Sequence, residues 1–141
     1  MSLFRRKTTE QQAEEAAAKQ ARVEELRRKW PHVFDARRRE HLEQMTELLA
    51  PGEAFEGEFQ TAELVMKKDL IFTSRRLLVS LSGTRDVEAI PYRSITSVRT
   101  AKFVTHDLVL IVDGRRDRLE LQFREQADRD AAVAILNRHE V

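Results

Sequence analysis

The spacing of the apolar residues changes at Ala50-Pro51-Gly52, and this change limits the folds open to the chain. Before it the spacing is helical; after it short apolar runs alternate with turn-forming residues, as in an antiparallel sheet. A Pro-Gly pair at the end of a helical pattern marks the end of the helix. The sequence therefore predicts three parts: a charged helical arm over residues 1–30, an amphipathic helix over 31–50, and a β-domain over 51–141 with a helix at its C-terminus.

The arm is rich in residues that favour helix. From Thr8 to Lys29 there is no Gly or Pro, and Ala, Glu, Gln, Lys and Arg are abundant. Thr9 followed by Gln12 predicts a capping box at the helix start. Because the apolar residues keep no regular heptad, a solvated single helix is favoured over a strong coiled coil. Pro31 predicts that this helix ends or kinks at Trp30.

The predicted helix before Ala50 carries one apolar stripe at i+3 and i+4 spacing. Such a stripe is buried against its own β-domain, a second subunit or a lipid surface, and the first is the simplest of the three. We predict that its docking residues are Phe34, Leu42, Met45 and Leu48.

The β-domain reads as short strands followed by one helix. The predicted strands cover residues 54–60, 70–72, 77–81, 87–92, 95–103, 108–112 and 119–123, and the helix 125–139. Pro91 predicts a sheet edge or bulge, and Asp113-Gly114 predicts a type I′ hairpin turn. The predicted fold class is α+β: a partly open antiparallel β-barrel capped by a C-terminal helix, preceded by an α-helical N-terminal arm.

Three segments in fixed order resemble the bacterial pleckstrin-homology-like (PH-like) domain family, which includes the YokE-like domains. They are Leu-Leu-Ala-Pro-Gly-Glu at 48–53, Asp-Leu-Ile-Phe-Thr-Ser-Arg-Arg-Leu-Leu at 69–78 and Ile-Pro-Tyr-Arg-Ser-Ile-Thr-Ser-Val at 90–98. The second is similar to the family's T-N-K-R-L turn, with Ser74 and Arg75 replacing Asn and Lys. The third is similar to its I-P-Y-x-x-I segment. The resemblance covers about residues 48–141 and implies a PH-like fold, ring-like homo-oligomers in some members, and no catalytic activity.

Several classes of chemistry lack the residues they need. The chain has no cysteine, its four histidines show no metal-binding spacing, and it contains neither a G-x-S-x-G elbow nor a Gly-rich phosphate loop. We therefore predict no enzyme activity, no metal and no cofactor. With 25 Lys and Arg against 24 Asp and Glu, the net charge of +1 gives no strong field for nucleic acid, and we predict no nucleic-acid partner. No secretory h-region or long apolar run is present, so the predicted location is the cytoplasm.

The leading hypothesis is a protein-interaction or self-assembly (scaffolding) module whose partner is another protein or itself, as a homo-oligomer. The alternative is weak peripheral contact with an anionic membrane. In that hypothesis Lys67-Lys68 and Arg75-Arg76, which flank one predicted strand, would crowd one end of the barrel and bind an anionic ligand. Residues 3–7 (Leu-Phe-Arg-Arg-Lys) would add an apolar tip beside a basic cluster.

Overall fold

The computed structural model describes residues 8–64, 66–81, 84 and 86–141. The chain forms two compact units, Met1–Glu40 and His41–Val141. Their boundary falls inside a helix, and the three-part division by residue range stays a prediction. None of the helices in the described ranges is both long enough and apolar enough to cross a membrane.

The first helix, α1, runs over Thr9–Lys29 and begins one residue earlier than the capping pattern suggested. Thr8 is the cap: its Oγ1 accepts from the Gln11 amide at 3.1 Å, and its own amide donates to Gln11 Oε1 at 3.0 Å. The predicted Thr9–Gln12 box is wrong because Thr8 keeps the extended backbone that a capping residue needs. The predicted end of the helix at Trp30 is confirmed.

The second helix, α2, covers Ala36–Thr46 and is shorter than predicted. Asp35 precedes it, and its carboxylate accepts from the Arg37 amide at 2.8 Å, which satisfies one of the free amides of the first turn. After Thr46 the chain leaves the helix through turns in which the Leu48 amide donates to the Met45 carbonyl at 3.1 Å.

Seven strands form two antiparallel sheets in the described residues. The strands are β1 (Phe55–Gln60), β2 (Lys68–Thr73), β3 (Arg76–Leu81), β4 (Val87–Pro91), β5 (Ile95–Lys102), β6 (His106–Val112) and β7 (Leu119–Phe123), and the last helix is α3 (Gln126–Arg138). The first sheet has the order β1-β2-β3-β4, and the second has the order β5-β6-β7. The prediction that Pro91 lies on an edge strand is confirmed, since β4 is at the end of its sheet.

One core fills the space between the two sheets and α3. Alternate residues of the strands point into it, as Leu119, Leu121 and Phe123 of β7 show, and α3 contributes Ala132, Ile135 and Leu136. The Phe59 ring lies edge-on to Phe72 of the first sheet and Phe123 of the second, with centroids 5.8 and 5.9 Å apart. The predicted α+β fold, a partly open antiparallel β-structure with a C-terminal helix after an N-terminal helix, is confirmed, and its described strands form two sheets that do not close into a barrel.

The β6–β7 connection differs from the prediction. A type I′ hairpin has two central residues with positive φ, whereas here residues 113–118 separate β6 from β7 and only Gly114 of the Asp113-Gly114 pair has a positive φ, of 78°. The type I′ prediction is therefore wrong; glycine at 114 forms part of a longer loop.

Candidate functional site

An ion pair between Arg76 and Glu53 joins the β2–β3 turn to the segment before β1. Arg76, the first residue of β3, donates from Nε to Glu53 Oε2 and from Nη2 to Glu53 Oε1, each at 3.0 Å. Thr73 Oγ1 donates to the same carboxylate at 2.6 Å, and the Ala50 amide donates at 2.9 Å. Arg76 Nη2 also donates to the Leu48 carbonyl at 2.8 Å. The first two segments of the family resemblance therefore meet here.

The bonds to Glu53 favour its ionised form. The hydrogen bond from Arg76 contributes most and holds the pKa of Glu53 at about 2, below its ordinary 4.5, although burial acts in the opposite direction. The Glu53 carboxylate is thus an anion at neutral pH whose oxygens are already bound by the protein's own donors.

The third segment joins the same corner through Tyr92. This residue opens a short 3₁₀-helix, Tyr92–Ser94, directly after β4. Its hydroxyl donates to the Thr73 carbonyl at 2.6 Å, and its ring stacks on His139 with centroids 4.2 Å apart. His139 Nε2 donates in turn to Glu56 Oε2 at 2.6 Å. Burial, with the nearby Glu56 carboxylate, raises the pKa of Tyr92, so the hydroxyl keeps its proton for this bond.

A surface hollow of about 480 Å³ opens at this corner and carries excess positive charge. Arg75, Arg76, Arg93 and Glu53 are the charged residues that line it. Arg75 and Arg93 are exposed, and neither guanidinium has a bonding partner among the described residues. We call Arg75, Arg76 and Arg93, grouped around Glu53, the arginine corner.

The opposite end of the β2–β3 hairpin carries the other predicted basic pair. Lys68 begins β2, and its Nζ donates to Glu63 Oε1 at 2.7 Å, while Lys67 is exposed. A hollow of about 430 Å³ opens there, with Arg115 ion-paired to Glu88 at 3.4 Å. We call this the mixed-charge hollow, because its charged lining residues are Lys68, Arg115, Asp86 and Glu88.

The structure does not bring the four predicted anion-binding residues together. Lys67 and Lys68 lie where β2 begins, whereas Arg75 and Arg76 lie at the turn where β2 ends. The expectation that they crowd one end of the barrel is therefore wrong, because the strand between them separates the two pairs by its full length. Sequence reasoning also missed Arg93, which belongs to the arginine corner, and Glu53, which pairs with Arg76.

The predicted docking stripe divides into buried and exposed residues. Leu42 and Met45 are buried, while Leu48 is about half exposed. Phe34 lies before α2 begins and is 92% exposed. Phe34 is therefore outside the helix that carries Leu42 and Met45. Whether the four residues dock together stays a prediction.

His41, Asp69 and Ser80 form a buried polar cluster that the sequence did not predict. His41 contacts Asp69 through Nδ1 at 2.7 Å and Ser80 Oγ through Nε2 at 3.0 Å, and the Ser80 hydroxyl also lies 2.9 Å from the Asp86 carbonyl. These are the residue types of a nucleophilic triad, yet Ser80 is only 1% exposed. The cluster instead connects His41 to both strands of the β2–β3 hairpin. Within the described part of the chain, no group of His, Asp and Glu side chains is placed to hold a metal ion.

The solved structures that resemble this chain in fold include the following three. A pleckstrin homology domain from Shewanella amazonensis SB2B is 21% identical, with a TM-score of 0.50 over 68% of this chain and 91% of that one. A DUF1696 family protein with a pleckstrin-homology domain from Shewanella loihica PV-4 is 16% identical, with a TM-score of 0.51 over 70% and 92%. The C-terminal domain of an unknown protein from Leishmania infantum is 17% identical, with a TM-score of 0.50 over 66% and 89%.

Neither a protein-family profile nor a curated protein matches the sequence. The structural likeness covers about two thirds of the chain and nearly all of each solved domain. The chain therefore contains a domain with the fold of pleckstrin-homology domains.

Proposed function

We propose that this chain is a non-catalytic protein-interaction module that assembles with a second copy of itself. The observation that carries the proposal is a set of exposed apolar side chains on two loops. Leu64 and Met66 lie in the β1–β2 loop, and Phe103 and Val104 lie in the β5–β6 turn; Leu64 and Val104 are fully exposed and Phe103 is 79% exposed. A single exposed apolar side chain is ordinary, whereas paired ones on neighbouring loops are typical of an interaction site.

Both loops adjoin β7, an edge strand of the second sheet. The Ala62 amide donates to the Gln122 carbonyl at 2.7 Å, which places the start of the β1–β2 loop beside β7. His106, which follows the β5–β6 turn, pairs with Phe123 at the end of the same strand. We call Leu64, Met66, Phe103 and Val104 the β7 surface.

Two further features support self-assembly over an enzyme. The one nucleophile-like cluster in the described residues has its serine buried, so a substrate has no access to the hydroxyl. The net charge of +1 gives little repulsion between copies, and a self-complementary apolar surface closes a two-fold dimer most simply. As part of the same proposal, the module acts in the cytoplasm. The membrane alternative stays a prediction, since its two basic pairs are separated and residues 3–7 lie outside the described residues.

The test is absolute mass by light scattering after gel filtration, over a range of protein concentrations. We expect the full chain to form a defined multimer and the double variant Leu64→Ser/Phe103→Ser to elute as a monomer, because it loses apolar contact area from both loops. The matched control is Ile111→Ser, which removes an exposed apolar side chain on β6 and should leave the multimer intact. A full chain that is monomeric at every concentration, or a double variant with unchanged mass, would contradict the proposal.

A further inference from the structure

We propose that the arginine corner binds carboxylate side chains of an acidic segment on a protein partner. This inference rests on the proposed role in protein interaction and adds the chemistry of the partner. It concerns a surface other than the β7 surface, so the two can be tested separately.

The charge at the corner is unbalanced. Three guanidinium groups face one carboxylate, and that carboxylate already accepts from Arg76, Thr73 and Ala50. Because both oxygens of Glu53 already accept hydrogen bonds and its single negative charge is paired with Arg76, the charges of Arg75 and Arg93 are not neutralised by it. Two positive charges are therefore left at the surface of the hollow.

The strand register directs the two spare arginines to one place. Arg76 pairs with Pro91 across β3 and β4, so Arg75, just before β3, and Arg93, just after β4, lie at the same end of this strand pair. The backbone turn at Gly52 lies against Arg75: a Cβ at Gly52 would be 3.8 Å from Arg75 Nη2. Arg75 and Arg93 line one hollow, and each guanidinium has the planar fork of donors that binds a carboxylate in a bidentate manner.

Apolar surface beside the corner favours a protein segment over a free anion. Leu48, whose carbonyl binds Arg76, is half exposed, and Pro91 in the lining is exposed as well. Leu48 and Met45 also line a second hollow of about 360 Å³. A segment that combines carboxylates with apolar side chains complements both features. A flat anionic membrane is instead best bound by many cations on one face, and Lys67 and Lys68 lie at the far end of the hairpin.

The probe is the acetylated peptide Glu-Leu-Glu-Glu-Leu-Glu, and its counterpart with glutamine at every glutamate position is the neutral control. Binding to the full chain is followed by the amide shifts of Gly52, Arg75 and Arg93 in heteronuclear NMR. We expect saturable shifts with the glutamate peptide, none with the glutamine peptide, and a marked loss of affinity when the salt is raised to about 0.5 M.

The variant Arg75→Glu/Arg93→Glu should weaken peptide binding by at least about tenfold, because attraction becomes repulsion at the corner. The matched control Arg99→Glu/Arg124→Glu changes the net charge equally, at two exposed arginines outside the corner. It should retain binding within about twofold, since screening limits distant charges. Equal weakening in both double variants would overturn the inference.

Inorganic phosphate and equimolar vesicles of phosphatidylcholine and phosphatidylserine complete the test. If either shifts the corner amides while the glutamate peptide does not, the inference fails and the corner binds that anion instead. The Leu64→Ser/Phe103→Ser variant should bind the peptide as the original chain does. A full chain that is monomeric at every concentration but binds the peptide overturns only the proposed self-assembly; lack of binding in an intact multimer overturns only the arginine corner.

Discussion

The two ends of the β2–β3 hairpin carry similar sequences and have different electrostatics. Each end has one basic pair, and in each pair one residue bonds a glutamate, Arg76 to Glu53 and Lys68 to Glu63, while the other is exposed. The hollows there are similar in size, about 480 and 430 Å³. The two hollows differ in the charged residues that other parts of the chain contribute. Arg93 adds a positive charge to the arginine corner, whereas the negative charges of Asp86 and Glu88 offset those of Lys68 and Arg115. A basic pair in a sequence thus does not fix the local charge.

The two ion pairs also differ in how many bonds support them. Glu53 is nearly inaccessible and accepts from a bidentate arginine, a hydroxyl and an amide. Glu63 is more exposed and has Lys68 as its ion-pair partner. Since a buried, multiply bonded carboxylate loses more when its partners are removed, the corner should contribute more to stability.

Glu53→Ala should produce the largest effect. It leaves Arg76 and the Thr73 hydroxyl without their acceptor, and we expect a loss of about 2–4 kcal/mol in the free energy of unfolding. Glu63→Ala at the other end is the matched control and should cost about 1 kcal/mol or less, as partly exposed pairs do. Urea unfolding followed by circular dichroism measures both. Equal losses would mean that the two ends are energetically alike.

Acid should weaken the corner in a defined pH window. The pKa of Glu53 is about 2 in the folded chain against an ordinary 4.5, so the unfolded chain binds more protons between these values. The stabilisation, roughly 3 kcal/mol by linkage, is therefore complete above pH 4.5 and is lost as the pH falls towards 2. Urea unfolding of the original chain and of Glu53→Gln gives the difference in stability, which should shrink across this window. A difference that stays constant with pH would show that Glu53 titrates normally.

Tyr92→Phe should have the smallest effect of the three. The ring and its stacking on His139 remain, and only the bond from the hydroxyl to the Thr73 carbonyl is lost, at a cost of about 1 kcal/mol. Thr96→Val is the control, because Thr96 Oγ1 also donates to a carbonyl, that of Ile111, but at an exposed site. That variant should change the stability by less than about 0.5 kcal/mol in the same urea experiment. If both variants cost the same, burial adds nothing to the bond at the corner.

The elements of this fold were largely predictable because their signals are local. The alternation of Leu119, Leu121 and Phe123 predicted β7 with its correct ends, and the helical spacing of 125–139 predicted α3 within one residue. The predictions were wrong where the conformation of one residue determines the local structure, as at the Thr8 cap of α1 and in the loop at Gly114. The edge position of β4 followed from Pro91, which has no amide to donate.

Bonds between residues far apart in the sequence determine which side chains make up the candidate sites. Glu53 binds a residue 23 positions away, and His41 binds residues 28 and 39 positions away. The spacing of residues along the chain carries the period of a helix or strand, so it predicted the strands, α3 and a partly open antiparallel fold, and the three resembling segments implied that this fold is PH-like. Residue spacing does not specify which strand ends lie close together, because sheet order and register depend on the packing of the whole core. That packing places Arg93 beside Arg75, and Lys68 at the opposite end of the same hairpin.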